Sequence, residues 1–236
     1  MVMPLWDDNP LDLPKLPIVT WGLVALNVLV FVVEAALPQY EYIFMAFAAT
    51  PANITGVPIT YPLIPPYLTL VTSQFLHADI LHLLGNMVFL SVFGDDVEEA
   101  MGSLRFLAFY LVCGVVAALA FTGSALHSIM PLVGASGAIA GVLAAYLMFR
   151  PCQKVMVFNP YILLWFAVGP VPRLEAYWVL GAWAVVQLWH ISVQSQDDVA
   201  YMAHVGGFAA GAILFPLLRY RAVRLFECIR AQTAEP

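Results

Sequence analysis

Residues 155–171 read VMVFNPYILLWFAVGPV, an apolar stretch nearly long enough to cross a bilayer, with Arg173 close behind it. Whether it crosses decides how often the chain spans the membrane and on which side every later residue lies. A transmembrane helix needs roughly 20 mostly apolar residues. Segments at about 18–37, 79–94, 105–126, 132–149, 176–194 and 199–218 meet that need or come close. The second is short, but its apolar flank from Leu63 to Leu76 is broken by Pro65 and Pro66 and preceded by Pro62. Those prolines indicate loop or interfacial structure, not another span.

The basic residues settle the count. With six spans, the segments on the N-terminal side are 1–17, 95–104, 150–175 and 219–236. These segments and their span boundaries hold Lys15, Arg105, Arg150, Lys154, Arg173, Arg219, Arg221, Arg224 and Arg230, which are all 9 basic residues of the chain. The opposite loops, at about 38–78, 127–131 and 195–198, hold none. Cytoplasmic loops are enriched in Lys and Arg. A seventh span at 155–171 would place Arg173 and the four C-terminal arginines outside. Asn159-Pro160 and the closing Pro170-Val171-Pro172 suit a half-inserted or interfacial segment. The expected fold is therefore all-α: a polytopic six-helix membrane bundle with both termini cytoplasmic. It divides into a tail at 1–17, one domain at 18–218 and a basic tail at 219–236.

Composition agrees. Of 236 residues, 62% are apolar and 10% charged, against about 45–50% and about 25% in soluble domains. This excludes a soluble enzyme, a disordered chain and a basic nucleic-acid binder. The start, MVMPLWDDNPLDLPKLP, is acidic and broken by proline, so it reads as a retained tail and not a signal peptide. Cys113, Cys152 and Cys228 are an odd set without ligand spacing and imply neither a disulfide framework nor a zinc site. Trp21, Trp178 and Trp189 fall near span ends, as an aromatic belt would. Asn53-Ile54-Thr55 is a glycosylation sequon on the expected outer side. The arginines from 219 to 230 are accounted for by topology and attraction to anionic lipid.

Polar groups at membrane depth are costly, so each is a candidate for function. His82 and Asn86, four apart in HLLGN, stack on one helix face at the outer end of the second span. Gly134-Ala135-Ser136-Gly137, at the outer end of the fourth, sets a hydroxyl among glycines that admit a substrate backbone. A helix N-terminus there offers unpaired N–H groups to a developing oxyanion. His204 heads the sixth span in AHVGGFAAG, with Gly207 and Gly211 on roughly its own face. Taken singly, each cluster is equally explained by helix packing through small or polar residues. Gly137 and Gly141 would make the matching face for Gly207 and Gly211, which brings His204 toward Ser136.

Together the clusters mean more, because six spans place all of them near one membrane face. A nucleophile, a base and side-chain oxyanion donors are the parts of acyl transfer. Glu34 is the only acid well inside a span, so the expectation is a Ser–His dyad without a third carboxylate. A zinc site built from His77, His82 and His204, with Asp79, is the alternative. It leaves Gly-x-Ser-Gly unexplained.

From about residue 67 to 218 the sequence resembles the rhomboid family of intramembrane serine proteases. FLHADILHLLGNM is similar to the family's His-x4-His-x3-Asn. Gly94, Glu98 and Gly102 match the Gly…Glu-x3-Gly after it, GASGAIAG matches Gly-x-Ser-Gly, and AHVGGFAAG matches Ala-His-x-x-Gly-x3-Gly. The resemblance implies Ser136 as nucleophile and His204 as general base and acid. It implies an oxyanion hole of His82, Asn86 and the Ser136 N–H, with His77 supporting the outer rim. A mobile cap around Ile191–Tyr201 is implied too. Leu68 and Thr69 stand where many members have Trp-Arg, and Ala140 where some have a tyrosine beneath the histidine.

The sequence thus indicates a protease of transmembrane protein substrates in a lipid bilayer, without cofactor, metal, nucleic acid or obligatory protein partner. The expected location is a prokaryotic inner membrane, with the site opening away from the cytoplasm. The rivals are a catalytically silent relative that binds membrane proteins, and a small metal-handling transporter. Silent relatives typically lack the serine or the histidine. A transporter would spread its polar groups along a path through the membrane.

Overall fold

The computed structural model describes residues 3–7, 17–57, 63–158, 169–193, 200–226 and 228. In chain order its helices are α1 (Ile18–Ala36), α2 (Tyr40–Phe47), α3 (Pro51–Ile54), α4 (Thr69–Thr72), α5 (Ile80–Met101), α6 (Ser103–Ser124), α7 (Ser136–Phe149), α8 (Ala176–Ser192) and α9 (Tyr201–Leu218). Four of them, α1, α5, α6 and α9, are long and apolar enough to cross a membrane, and α7 is a shorter apolar helix.

The structure is mostly helical, as expected, with one small sheet that the all-α expectation did not include. Strands β1 (Met3–Asp7), β2 (Lys154–Phe158) and β3 (Arg173–Glu175) form an antiparallel sheet in the order β1-β2-β3. Along β2, Val155 and Val157 point inward while Lys154 and Phe158 are exposed. That two-residue alternation of β-branched side chains is what a half-buried strand requires. The interfacial reading of 155–171 is thus replaced at 155–158 by a strand, and 159–168 lie outside the described residues. So do 194–199, the middle of the expected cap.

Two span boundaries also move. The expected 79–94 runs to Met101, because the acidic end of α5 is built into the protein. Asp96 lies 4.0 Å from Arg150 Nη2. Glu98 accepts hydrogen bonds from the Val19 N–H (3.1 Å), the Thr20 N–H (2.8 Å), the Thr20 hydroxyl (2.8 Å) and the Ser103 hydroxyl (2.5 Å). Gly102 then ends the helix at φ +85°, a conformation in which other residues are strained. At the other end Asp79 caps α5, accepting from the N–H groups of Leu81 and His82. The expected 132–149 begins only at Ser136, because the preceding residues bond elsewhere. Leu132 bridges Ala49, and the Gly134 N–H donates to the Ser73 carbonyl at 2.9 Å.

At the centre stands α7, buried from Gly137 to Tyr146. A helix apolar on every side belongs inside other helices. Around it pack α6, α9 and α5, with Phe93, Phe106, Phe109, Tyr110, Tyr146 and Phe215 fully enclosed. Helices α1 and α8 turn Trp21, Leu29, Trp178, Val185 and Trp189 outward, the faces a lipid solvent would cover.

The end of the bundle where α5 and α7 finish carries the sheet and the charges. Tyr146 donates its hydroxyl hydrogen bond to Asp7 at 2.7 Å, tying β1 to α7. Arg105 reaches the Leu218 carbonyl, and the N–H groups of Tyr220 and Phe226 bond to Ala100 and Met148. Cys152 and Cys228 form a disulfide across 76 residues. This corrects the expectation drawn from cysteine spacing, since tertiary folding of the C-terminal segment brings the two together. Cys113 is free and buried.

Glu98 joins α1, α5 and α6 at one point. Glu98→Ala strands four donors and is expected to destabilise the protein by roughly 3 kcal/mol or more. Equilibrium unfolding in detergent micelles measures it, and a loss under 1 kcal/mol (about the worth of a single ordinary hydrogen bond) would contradict the role.

Candidate active site

Ser136 is the first residue of α7, entered through Gly134 at φ +111°. The left-handed turn requires glycine there, and it aims a half-buried hydroxyl across to α9. His204 sits in the first turn of α9. Its Nε2 lies 2.9 Å from Ser136 Oγ.

Small residues bring the two together. A Cβ on Gly207 would strike the Gly137 carbonyl, and one on Gly211 would strike the Gly141 backbone. The backbones of α7 and α9 are therefore in contact along the two glycine pairs, as the sequence pairing of these faces anticipates. Gly137 follows Ser136 directly and Gly207 is one turn past His204, so the backbone contact sets the side-chain distance.

His82 and Asn86 reach the same turn from α5. A Cβ on Gly134 would lie 2.7 Å from His82 Nε2 and 3.5 Å from Asn86 Nδ2. Both side chains thus face the backbone that presents Ser136. Asn86 is buried, and its Nδ2 makes no hydrogen bond among the described residues, so a donor stands ready beside the hydroxyl. His77 is buried beyond His82, edge-on to it at 5.2 Å between ring centroids. It touches the site through His82. Burial, and then the neighbouring His82, lower its pKa from 6.5 to about 4.

Sequence reasoning missed two residues of α8. Gln187 is buried, and its Oε1 lies 2.8 Å from His204 Nδ1. The Trp183 ring lies 5.8 Å from the His204 ring, centroid to centroid. Tyr201 meets the same imidazole edge-on at 6.3 Å. With Ala140 under α7 unable to stack, Trp183 and Tyr201 supply the flanking rings. A signal existed for Gln187, the only amide within α8 and strongly polar at membrane depth.

The zinc alternative does not fit this geometry. His204 spends one ring nitrogen on Ser136 and the other on Gln187, leaving neither for a metal. Chemically, the site sets a hydroxyl against an imidazole with side-chain and backbone donors beside it.

Residues 66–221 match the family model described as Rhomboid domain. Rhomboid protease AarA of Providencia stuartii is 26% identical over 234 residues, covering 87% of this chain and 76% of that protein. The mitochondrial presenilin-associated rhomboid-like protein of Homo sapiens is 32% identical over 136 residues, covering 57% of this chain and 32% of that one. Rhomboid protein 1, mitochondrial, of Saccharomyces cerevisiae is 28% identical over 155 residues, covering 62% of this chain and 40% of that one. The match therefore takes in less than half the length of either mitochondrial relative.

A buried neutral His77 makes stability depend on pH. The unfolded chain protonates this residue near 6.5 and the folded one only near 4. Its contribution is complete above about pH 6.5 and is lost as pH falls toward 4, by up to about 3 kcal/mol. The difference in unfolding free energy between wild type and His77→Gln should therefore shrink or reverse on going from neutral pH to pH ~5. A difference independent of pH would contradict it.

Proposed function

The chain belongs to the rhomboid family, and from that premise we propose that it is an intramembrane serine protease, hydrolysing peptide bonds in or near the transmembrane helices of membrane-protein substrates. The observation that carries the reading is the 2.9 Å approach of Ser136 Oγ to His204 Nε2.

In the proposed reaction His204 Nε2 accepts the hydroxyl proton as Oγ attacks the scissile carbonyl carbon. Negative charge gathers on the carbonyl oxygen, and His82, Asn86 and the Ser136 N–H donate to it. His204 then gives its proton to the departing amine as the C–N bond breaks, leaving an acyl ester on Ser136. Water, deprotonated by the same imidazole, attacks that ester and returns the hydroxyl. A helical substrate hides its carbonyl carbons, so residues around the cleaved bond must unwind. Helix-weakening small residues there are the expected preference.

The same proposal takes residues 18–218 as a six-span protease domain, with 1–17 and 219–236 as cytoplasmic flanks. The seven described basic side chains lie on segments at the end opposite Ser136, the length of α7 away. With that end cytoplasmic, the site opens on the other side of a prokaryotic inner membrane, and transmembrane substrates and lipid are its partners.

Purified protein in liposomes with a fluorescent transmembrane substrate tests the chemistry. Ser136→Ala and His204→Ala should each lose at least about 100-fold in rate, and chelator should change nothing. Cleavage at the wild-type rate by either variant would overturn the mechanism. For topology, a chain stripped of native cysteines should react with impermeant maleimide from outside the cell at Ile129→Cys and not at Arg221→Cys. The reverse pattern would invert the orientation.

A further inference from the structure

Ser–His–Asp sites use a buried carboxylate to hold the imidazole in the tautomer that leaves Nε2 free to accept a proton. Here α6, α7, α8 and α9, which converge around His204, carry no Asp or Glu anywhere along their lengths. The acids of α5, from Asp95 to Glu99, stand at its opposite end. Among the described residues, the other titratable groups near this end are His82 on α5 with Asp79 capping that helix beside it, Tyr201 on α9 itself, and His190 on α8, stacked on Tyr201 at 4.5 Å. Deeper along the bundle lie Cys113 of α6 and Tyr146 of α7. Among the described residues no carboxylate bonds to His204, whose two ring nitrogens meet Gln187 and Ser136.

We propose that Gln187 is the positioning residue of the dyad, fixing the tautomer and orientation of His204 with a neutral amide in place of a carboxylate. This rests on the reading of Ser136 and His204 as nucleophile and base. An amide can present either its oxygen or its NH2 to an imidazole, with opposite consequences. In Gln187 the choice is fixed, because Nε2 donates to the Trp183 carbonyl one turn back at 3.0 Å. That leaves Oε1 facing His204 Nδ1 at 2.8 Å. Oxygen only accepts, so Nδ1 must carry the proton, and Nε2 keeps the lone pair that Ser136 needs.

Burial makes the arrangement rigid: Gln187 is 5% exposed, and Trp183, which receives its NH2 group, also flanks the imidazole ring. One helix thus holds His204 at its Nδ1 and against its ring. A neutral acceptor also suits a site inside lipid. A permanent carboxylate there would have to be desolvated in every resting molecule, whereas the imidazolium exists only during turnover.

The test uses the full chain in liposomes, with Gln187→Met, which keeps length and packing but lacks the acceptor, and Gln187→Glu, which keeps it. Gln187→Met should fold with wild-type thermal stability or lose little, and lower kcat roughly 10–100-fold, the usual effect of removing a bond that orients a functional imidazole. KM should stay near wild type. Gln187→Glu should recover much of the rate, with the acid limb of its pH–rate profile moved to higher pH, because a carboxylate favours the imidazolium. A wild-type kcat and pH profile in Gln187→Met would overturn the proposal, as would equal losses in both variants.

A readout independent of turnover separates this from the protease reading. In 15N-histidine-labelled protein, with His204→Ala identifying the resonance, wild type should show the Nδ1–H tautomer and Gln187→Met a mixture. An Nε2–H tautomer in wild type, or an unchanged spectrum in Gln187→Met, would refute the positioning role even if cleavage proceeds. Wild type that shows the expected tautomer but cleaves nothing would refute the protease reading and leave Gln187 as its orienting group.

Discussion

Two helix backbones touch at Gly137 against Gly207 and Gly141 against Gly211, and the site exists because of that contact. In lipid no hydrophobic effect drives apolar helices together, so association relies on close van der Waals packing and hydrogen bonds. Small residues allow it. The same logic extends to α6, where Ala117 lies against Gly137, Cys113 against Gly141 and Ala120 against Gly206. Three helices thus meet at small residues, and the hydroxyl and imidazole at their mouth inherit a distance fixed by main chain. Main-chain contacts deform far less readily than side chains, which is what a site demanding sub-ångström placement needs.

Polar groups are sorted between the two ends of the bundle. At one end Asp7, Asp96, Glu98, Arg105 and Arg150 are paired or bonded to main chain, tying the strand β1, the start of α1 and the C-terminal segment to the helices. At the other end stand Ser136, His204, Gln187, Asn86, His82 and His77, with Asp79 capping α5 beside His82. Buried charge is tolerable only when partnered. The Asp96–Arg150 pair thus lies at the end away from His204, whose ring bonds to Gln187 and Ser136.

Much of this was legible in the sequence because lipid restricts structure so severely. Apolar length marked α1, α5, α6 and α9, the helices long enough to cross a membrane. The approach of His204 to Ser136 was readable from the glycine spacing of the two helices. What escaped the reading had tertiary causes. Asp96 and Glu98 looked like the end of a span, yet they continue α5 because Arg150, Thr20 and Ser103 come from elsewhere in the chain. Val155 to Phe158 reads as part of a half-inserted or interfacial segment until β1 supplies an edge to pair with. Cys152 finds Cys228 only through the fold of the C-terminal segment. Gln187 has no motif around it. Its meaning comes from where α8 packs against α9, which no local pattern encodes.

The central claim is that helix contact at the glycines makes Ser136 a nucleophile through His204. Reaction of the intact protein with a serine-directed fluorophosphonate, followed by mass spectrometry of the modified peptide, addresses it without any substrate. The account predicts a single adduct on Ser136, formed rapidly in wild type and slowed at least about 100-fold in His204→Ala. A Ser136 that stays unmodified in wild type, or is modified equally fast in His204→Ala, would contradict it.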